Sequence, residues 1–257
     1  MRSLILYAAL VLLVAGVAAA LTPVTPVLDG VIGSDWGVDS FFDIDYIEAC
    51  PYQLYMTWDA DALWVGLHSD TCRYFLGDGN PNISFFVAID VDQLPGSGAP
   101  QDGYGNVNFS GRYMPEYVYY FAGGGGWYEW GHWNGASWDW NGWRNDNTYY
   151  AYDGGDVFDD ELGIVWADVG FPAGIAVMAW ITFDETFGTE PGVLAAYPPD
   201  NATGVLPNFT WAYPFFIPDV PDTMPVMGFV ENSVTPSDGG SSATESSSWS
   251  DVKALYK

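Results

Sequence analysis

Positive charge is the scarcest property of this chain. Only 6 of its 257 residues are Lys or Arg, against 33 Asp and Glu, and the formal net charge is −27. Charged residues total 15%, where roughly 25% is usual, and the acids alone are near their normal share, so the imbalance comes from missing bases. Lys253 and Lys257 are the only lysines, and Arg2 lies in the N-terminal leader, so the body of the chain carries only Arg73, Arg112 and Arg144. Such a surface repels a polyanionic duplex, which excludes a nucleic-acid partner, and it disfavours an anionic membrane. Histidine is nearly absent too, at His68 and His132. No H-E-x-x-H, P-loop, strand-borne G-x-G-x-x-G or Ser-His-Asp order is present, and with so many acids no carboxylate pair stands out as a glycosidase couple, so the chain reads as non-enzymatic. No amphipathic helical stretch of 12 or more residues is found, and no apolar run after the leader is long enough to span a bilayer.

Aromatic residues, glycine and proline are abundant. Hydrophobic residues make up 49% and aromatics 18%, with 13 Trp, 30 Gly and 17 Pro, which excludes a disordered chain and points to many short strands and turns. Residues 1–20 read as a secretory signal peptide: Arg2, an apolar run from Leu4 to Val17, then Ala18-Ala19-Ala20. The mature chain then has no membrane span and is expected to be secreted, extracellular or at the cell surface. Residues 21–230 read as one all-β unit, with strand candidates at 54–58, 63–67, 85–89, 116–121, 163–166 and 175–183. Residues 231–248 read as a flexible Ser-rich linker. Residues 249–257 form a short amphipathic segment with Trp249, Val252, Leu255 and Tyr256 on one helical face, a candidate element for a secretion or surface-attachment factor.

Export to an oxidising compartment makes a disulfide the expected state of Cys50 and Cys72. Strands at 54–58 and 63–67 around Asp59-Ala60-Asp61-Ala62 form a hairpin with an index sum of about 122, which sets the two cysteines opposite each other.

Two segments carry candidate sites. Residues 127–143 hold six Trp around Asn134-Gly135. A two-residue type I′ turn pairs Trp133 with Ala136, Gly131 with Trp138 and Glu129 with Trp140. Alternation then puts Trp127, Trp133, Trp138 and Trp140 on one face, and Tyr128, Trp130, His132, Ser137 and Asp139 on the other. The second face joins an aromatic plate to hydrogen-bonding groups, which suits a sugar ring, so Tyr128, Trp130, His132 and Asp139 are the candidate ligand-binding residues. The alternative is that these indoles are packing residues. In the loop 90–106, Asp90, Asp92, Asp102 and Asn106 offer hard oxygen ligands among glycines, a set suited to a structural Ca²⁺. Sequons at Asn82, Asn108, Asn201 and Asn208 mark expected surface loops.

Three further segments carry a family resemblance. Residues 25–36 (TPVLDGVIGSDW), 54–67 (LYMTWDADALWVGL) and 85–92 (FFVAIDVD) resemble, in order and spacing, the signature strands of family 9 carbohydrate-binding modules and their DOMON-like relatives. The resemblance implies a jelly-roll-like antiparallel β-sandwich, secretion, frequent sugar binding and often bound calcium. At the positions where sugar-binding members carry a clamping Trp and a Glu, this chain has Asn80 and Phe86. The expected function is a secreted carbohydrate-binding-type module. The alternative is a structural surface or filament subunit that self-associates through aromatic surfaces.

Overall fold

The computed structural model describes residues 20–21, 24–36, 41–47, 50–69, 83–122, 128–144, 150–152, 158–183, 192–198, 200–216, 224–225 and 230–231. The expected signal peptide up to residue 19, Cys72, Asn80, Asn82, Trp127, the expected linker beyond Glu231 and the final nonapeptide lie outside them.

The regular secondary structure of the described residues is nearly all strand. In order these are β1 (Ala20–Leu21), β2 (Phe41–Ile47), β3 (Cys50–Trp58), β4 (Ala62–Ser69), β5 (Ile83–Asp90), β6 (Asn108–Phe109), β7 (Tyr117–Ala122), β8 (Tyr128–Trp133) and β9 (Trp138–Arg144). They continue with β10 (Tyr150–Tyr152), β11 (Phe158–Val165), β12 (Gly174–Phe183), β13 (Val193–Tyr197), β14 (Asn208–Phe209), β15 (Trp211–Phe216), β16 (Met224–Pro225) and β17 (Val230–Glu231). One short 3₁₀ turn spans Ser34–Trp36.

A five-stranded sheet runs β10-β11-β4-β3-β2, and an eight-stranded sheet runs β17-β15-β12-β5-β7-β8-β9, with β13 also pairing β12. All pairings within these two sheets are antiparallel. The sheets face each other across one core, a β-sandwich. Leu54, Met56, Leu63, Val65, Leu67, Leu162 and Ile164 from the first sheet meet Phe85, Val87, Ile89, Phe121, Val177 and Ile181 from the second. At ~1.5–3 kcal/mol for each large apolar side chain withdrawn from water, this layer dominates stability.

The eight-stranded sheet is covered on its outer face as well. Phe86, Ala88, Val118, Met178 and Trp180 pack under Val107, Phe109, Tyr113 and Phe209, which belong to two segments that connect strands of this sheet and carry the short β6 and β14. The longer is the 91–116 excursion between β5 and β7. Burial on both faces is why 85–89 reads as a continuous apolar run rather than an alternating one. On the five-stranded sheet, residues 24–36 cover part of the outer face, and Trp36 packs with Ala62 and Trp64. Gly66 makes this possible, since a Cβ there would stand 2.7 Å from Ile32 Cδ1 and 3.1 Å from Trp36 Cη2.

Carboxylates fasten that cover to β11. Glu161 accepts from Gly30 N at 2.6 Å and Trp36 Nε1 at 2.9 Å, and Asp159 accepts from Ile32 N at 3.1 Å and contacts His68 Nδ1. Asp59 closes the β3–β4 turn, accepting from Thr25 Oγ1, Asp61 N, Ala62 N and Trp64 Nε1. Partial burial pushes the Asp59 carboxyl upward, but these donors outweigh it and leave it below its ordinary range.

Two expectations need correction. The β3–β4 hairpin forms around the expected Asp turn, but Gln53 faces His68 and Trp58 faces Leu63, an index sum of 121. Asp59 N donates to Ala62 O, which centres the turn between Ala60 and Asp61. The pairing of Cys50 with Cys72 itself falls outside the described residues. Asn201 is not on an accessible loop. It is 4% exposed, its Nδ2 donates to Trp211 O, and its Oδ1 accepts from Thr210 N and Trp211 N.

Candidate functional site

The Trp-rich segment is the expected hairpin, β8–β9, with a different turn. Trp133 faces Trp138, His132 faces Asp139, Gly131 faces Trp140 and Trp130 faces Asn141, an index sum of 271 rather than 269. Asn134-Gly135-Ala136-Ser137 forms a four-residue connection. Asn134 Oδ1 accepts from Ala136 N at 3.0 Å and Ser137 N at 2.9 Å, and Gly135 has φ +93°. The side chain of Asn134 thus does locally what a tighter backbone turn was expected to do. A slip of two in the sum preserves which residues share a face, where a slip of one would invert it. Among the described residues the expected division of side chains therefore holds, and the two faces have different fates.

The inner face carries the residues singled out from the sequence. Tyr128 is 3% exposed and belongs to the core between the sheets, so it cannot touch a ligand. Trp130 is half-buried, stacked on Tyr119 at 6.0 Å and tilted on Tyr117 at 6.0 Å. His132 is half-buried against Tyr117 at 4.8 Å, and Asp139 is exposed and accepts from Asn134 Nδ2. Trp130, His132, Asp139 and Asn141 are brought together. Tyr128 is withdrawn from them because its strand position reaches over the sandwich core.

The outer face holds the larger exposed aromatic surface. Trp140 and Tyr104 are 39% and 37% exposed, and their rings meet edge-on at 4.8 Å. Trp138 lies beside Trp140 at 6.1 Å and donates its Nε1 to Gln101 O at 2.9 Å. Tyr104 comes from the 91–116 excursion, which crosses this face closely enough that a Cβ on Gly103 would collide with Trp140 Cζ2. A row of facing residues runs beneath, Trp180–Phe86–Tyr120–Glu129 across β12, β5, β7 and β8. Phe86 is stacked on Trp180 at 5.0 Å and capped by Tyr104 at 5.4 Å, so this position has no room for a carboxylate. Glu129 supplies one at the end of the row, bonded to the Tyr104 hydroxyl, and burial pushes its carboxyl up. Sequence reasoning missed Tyr104 and Glu129 because contact across 25 residues has no local signature.

A second cluster lies at the neck of the same excursion. Asp90, Asp92 and Glu116 each place a carboxylate oxygen within 4.8 Å of the others. Burial, and then the charge of Glu116, pushes Asp90 up to about 8, and burial pushes Glu116 up to about 7. Two of the four expected metal ligands are therefore brought together, with Glu116 as an unforeseen third. Asp102 and Asn106 are not part of the cluster. Asp102 caps a turn of its own, accepting from Asn106 N at 2.7 Å and Val107 N at 3.2 Å, and burial pushes it up to about 6.

The sequence matches no protein-family model and no curated protein. In three dimensions the chain is similar to a family 9 carbohydrate-binding module from Caldicellulosiruptor kristjanssonii, solved in complex with cellotriose. Identity is 9%, the match covers 86% of this chain and 95% of that one, and the TM-score is 0.37.

Proposed function

We propose that this protein is a secreted, non-catalytic carbohydrate-binding module that takes its ligand on the outer face of the β8–β9 hairpin. The observation that carries the reading is the exposed meeting of Trp140 and Tyr104 beside the Glu129 carboxylate. Indole and phenol rings offer an apolar plane to the C–H face of a sugar, and Glu129 and the Gln101 side chain offer partners to its hydroxyls. The ligand is a neutral glycan, because a net charge of −27 repels an acidic one. Export, and a Cys50–Cys72 bridge formed after it, belong to the same proposal.

A second reading uses the inner face, where Trp130, His132, Asp139 and Asn141 lie together with two aromatic rings behind them. Retention on a neutral-glycan array separates the two. Trp140→Ala should lower retention at least tenfold while Trp130→Ala leaves it within twofold. The reverse pattern moves the site to the inner face, and no retention of the parent protein on any glycan removes the reading. In that case β9 becomes the relevant feature. Among the described residues it is the edge of its sheet, and concentration-dependent assembly through that edge would mark a self-associating surface protein.

A further inference from the structure

Beyond Trp138 the outer face continues as a small polar sheet. Residues 100–102 run antiparallel to 107–109, with Phe109 N donating to Pro100 O at 2.9 Å and Asp102 N to Val107 O at 3.2 Å. β6 pairs in parallel with β14, Asn108 beside Asn208 and Phe109 beside Phe209. Asn108 N donates to Pro207 O and Ser110 N to Phe209 O. Alternation gives these three short strands two distinct sides. Asp102, Val107, Phe109, Pro207 and Phe209 are buried, and the two Phe rings lie against Trp180 at 5.8 Å and 5.5 Å. The alternate positions, Gln101, Asn108, Ser110, Asn208 and Thr210, face outward. In a chain with 33 acids, none of these carries a charge.

The register brings three amide side chains abreast. Gln101 and Asn108 form an antiparallel pair of the non-hydrogen-bonded kind, in which side chains stand closest. Gln101 Nε2 donates to Asn108 Oδ1 at 3.3 Å. Asn208 is the next position on that side; it is exposed, and its side chain makes no hydrogen bond with the described residues. At ~4.7–4.9 Å between neighbouring strands, the row is about 10 Å across. A primary amide both donates and accepts, as a sugar hydroxyl does, whereas a carboxylate only accepts. The row also joins the aromatic platform. Gln101 O takes the Trp138 indole N–H at 2.9 Å, and Trp138 lies beside Trp140 at 6.1 Å.

We infer that the ligand site is an extended track, running from Trp140 and Trp138 across Gln101 and Asn108 to Asn208, and that it takes several consecutive sugars of a linear neutral glycan. This rests on the carbohydrate reading above and extends it from one aromatic platform to a row of subsites. Trp140 and Tyr104 stack on one sugar, and the amides hold the hydroxyls of those that follow it. The backbone under the amides is already fixed by the buried Phe pair, so little backbone order has to be gained on binding.

The test titrates the whole protein with neutral glucose and mannose oligosaccharides, alpha- and beta-linked, from disaccharide to hexasaccharide. Asn108 and Asn208 both head sequons, and a glycan attached there would cover the track, so the protein is made in a host without N-glycosylation. Within the best-bound linkage, the hexasaccharide should bind at least tenfold more tightly than the disaccharide. It should also slow amide exchange in residues 207–210, where the disaccharide does not. Gln101→Ala and Asn208→Ala, both at exposed positions, should unfold at the parent temperature and each cut the hexasaccharide's advantage several-fold. Trp140→Ala should weaken both ligands. Equal affinity for the two lengths overturns the track and leaves the aromatic platform standing alone. An undiminished hexasaccharide advantage in both amide variants also overturns it. Binding lost in Trp130→Ala but kept in Trp140→Ala places the site on the inner face and overturns the track as well. No binding of any oligosaccharide, with no retention on the glycan array, removes the carbohydrate reading and the track with it.

Discussion

Replacing Asp90 by asparagine should make the metal-free protein more stable at pH 8, an unusual outcome for a fully buried polar position. The Asp90 carboxyl is pushed from 3.8 to about 8, first by burial and then by the Glu116 charge. A shift of about four units, at ~1.4 kcal/mol each, amounts to roughly 6 kcal/mol between its neutral and charged forms, and local relaxation reduces this to a few. The folded pKa is raised above the unfolded one, so between pH ~4 and ~8 the folded state holds a proton that the unfolded chain has released. Stability from this group is therefore full below pH ~4 and is lost as pH climbs to ~8. The carboxamide that replaces the carboxyl has the same shape, keeps an acceptor for Gln93 N–H, and presents its NH₂ to the carboxylates of Asp92 and Glu116. The measurement is thermal unfolding in EDTA from pH 5 to pH 8 for both proteins. The parent should lose roughly 5–10 °C more than Asp90→Asn over that range, at ~2–4 °C per kcal/mol for a chain of this size. Comparing slopes cancels the general self-repulsion of an acidic chain. Equal slopes, or a parent that gains stability with rising pH, would refute the assignment of a buried, unpaired carboxylate.

Two other expectations follow from the packing. Gly103→Ala should lower stability by about 1–3 kcal/mol in chemical denaturation, because its Cβ would meet Trp140 and Trp138, and it should quench or shift tryptophan emission; an unchanged midpoint would mean the excursion does not lie on the hairpin. Glu161→Gln keeps an acceptor for only part of the Gly30 N and Trp36 Nε1 contacts and should cost about 1–3 kcal/mol, read as earlier exposure of residues 24–36 in hydrogen exchange than of β11.

The sandwich was legible because its signals are local. Strands β3, β4, β5, β7, β11 and β12 all overlap apolar runs bounded by turn residues. The hairpin faces were legible for the same reason, since alternation fixes them even when the turn is misjudged by two residues. Which face meets the core was not, because both are rich in indole, and the choice is made by an excursion that begins far upstream in the chain, just after β5. The acidic site divides in the same way. Asp90 and Asp92 sit at a strand end and could be read directly, whereas Glu116 arrives only when the excursion closes. Asp102 and Asn106 had the right chemistry, but Asp102 Oδ1 is engaged by the amides of Asn106 and Val107 in a turn of its own.

The carboxylates that tie loops to sheets in this fold have partners of a particular kind. Asp59, Asp102, Asp159 and Glu161 are answered by the backbone amides of residues 30, 32, 61, 62, 106 and 107, with indole nitrogens, a threonine hydroxyl and His68 alongside. An amide hydrogen is present whatever side chain its residue bears, proline excepted. Each of the amide ties can therefore be lost by substitution from one side only. They place no demand on the side chains of the residues that donate, while they do on the few that accept. Single-residue replacement should therefore break these ties at the acids, and at the exposed donor Asp61 it should be nearly silent.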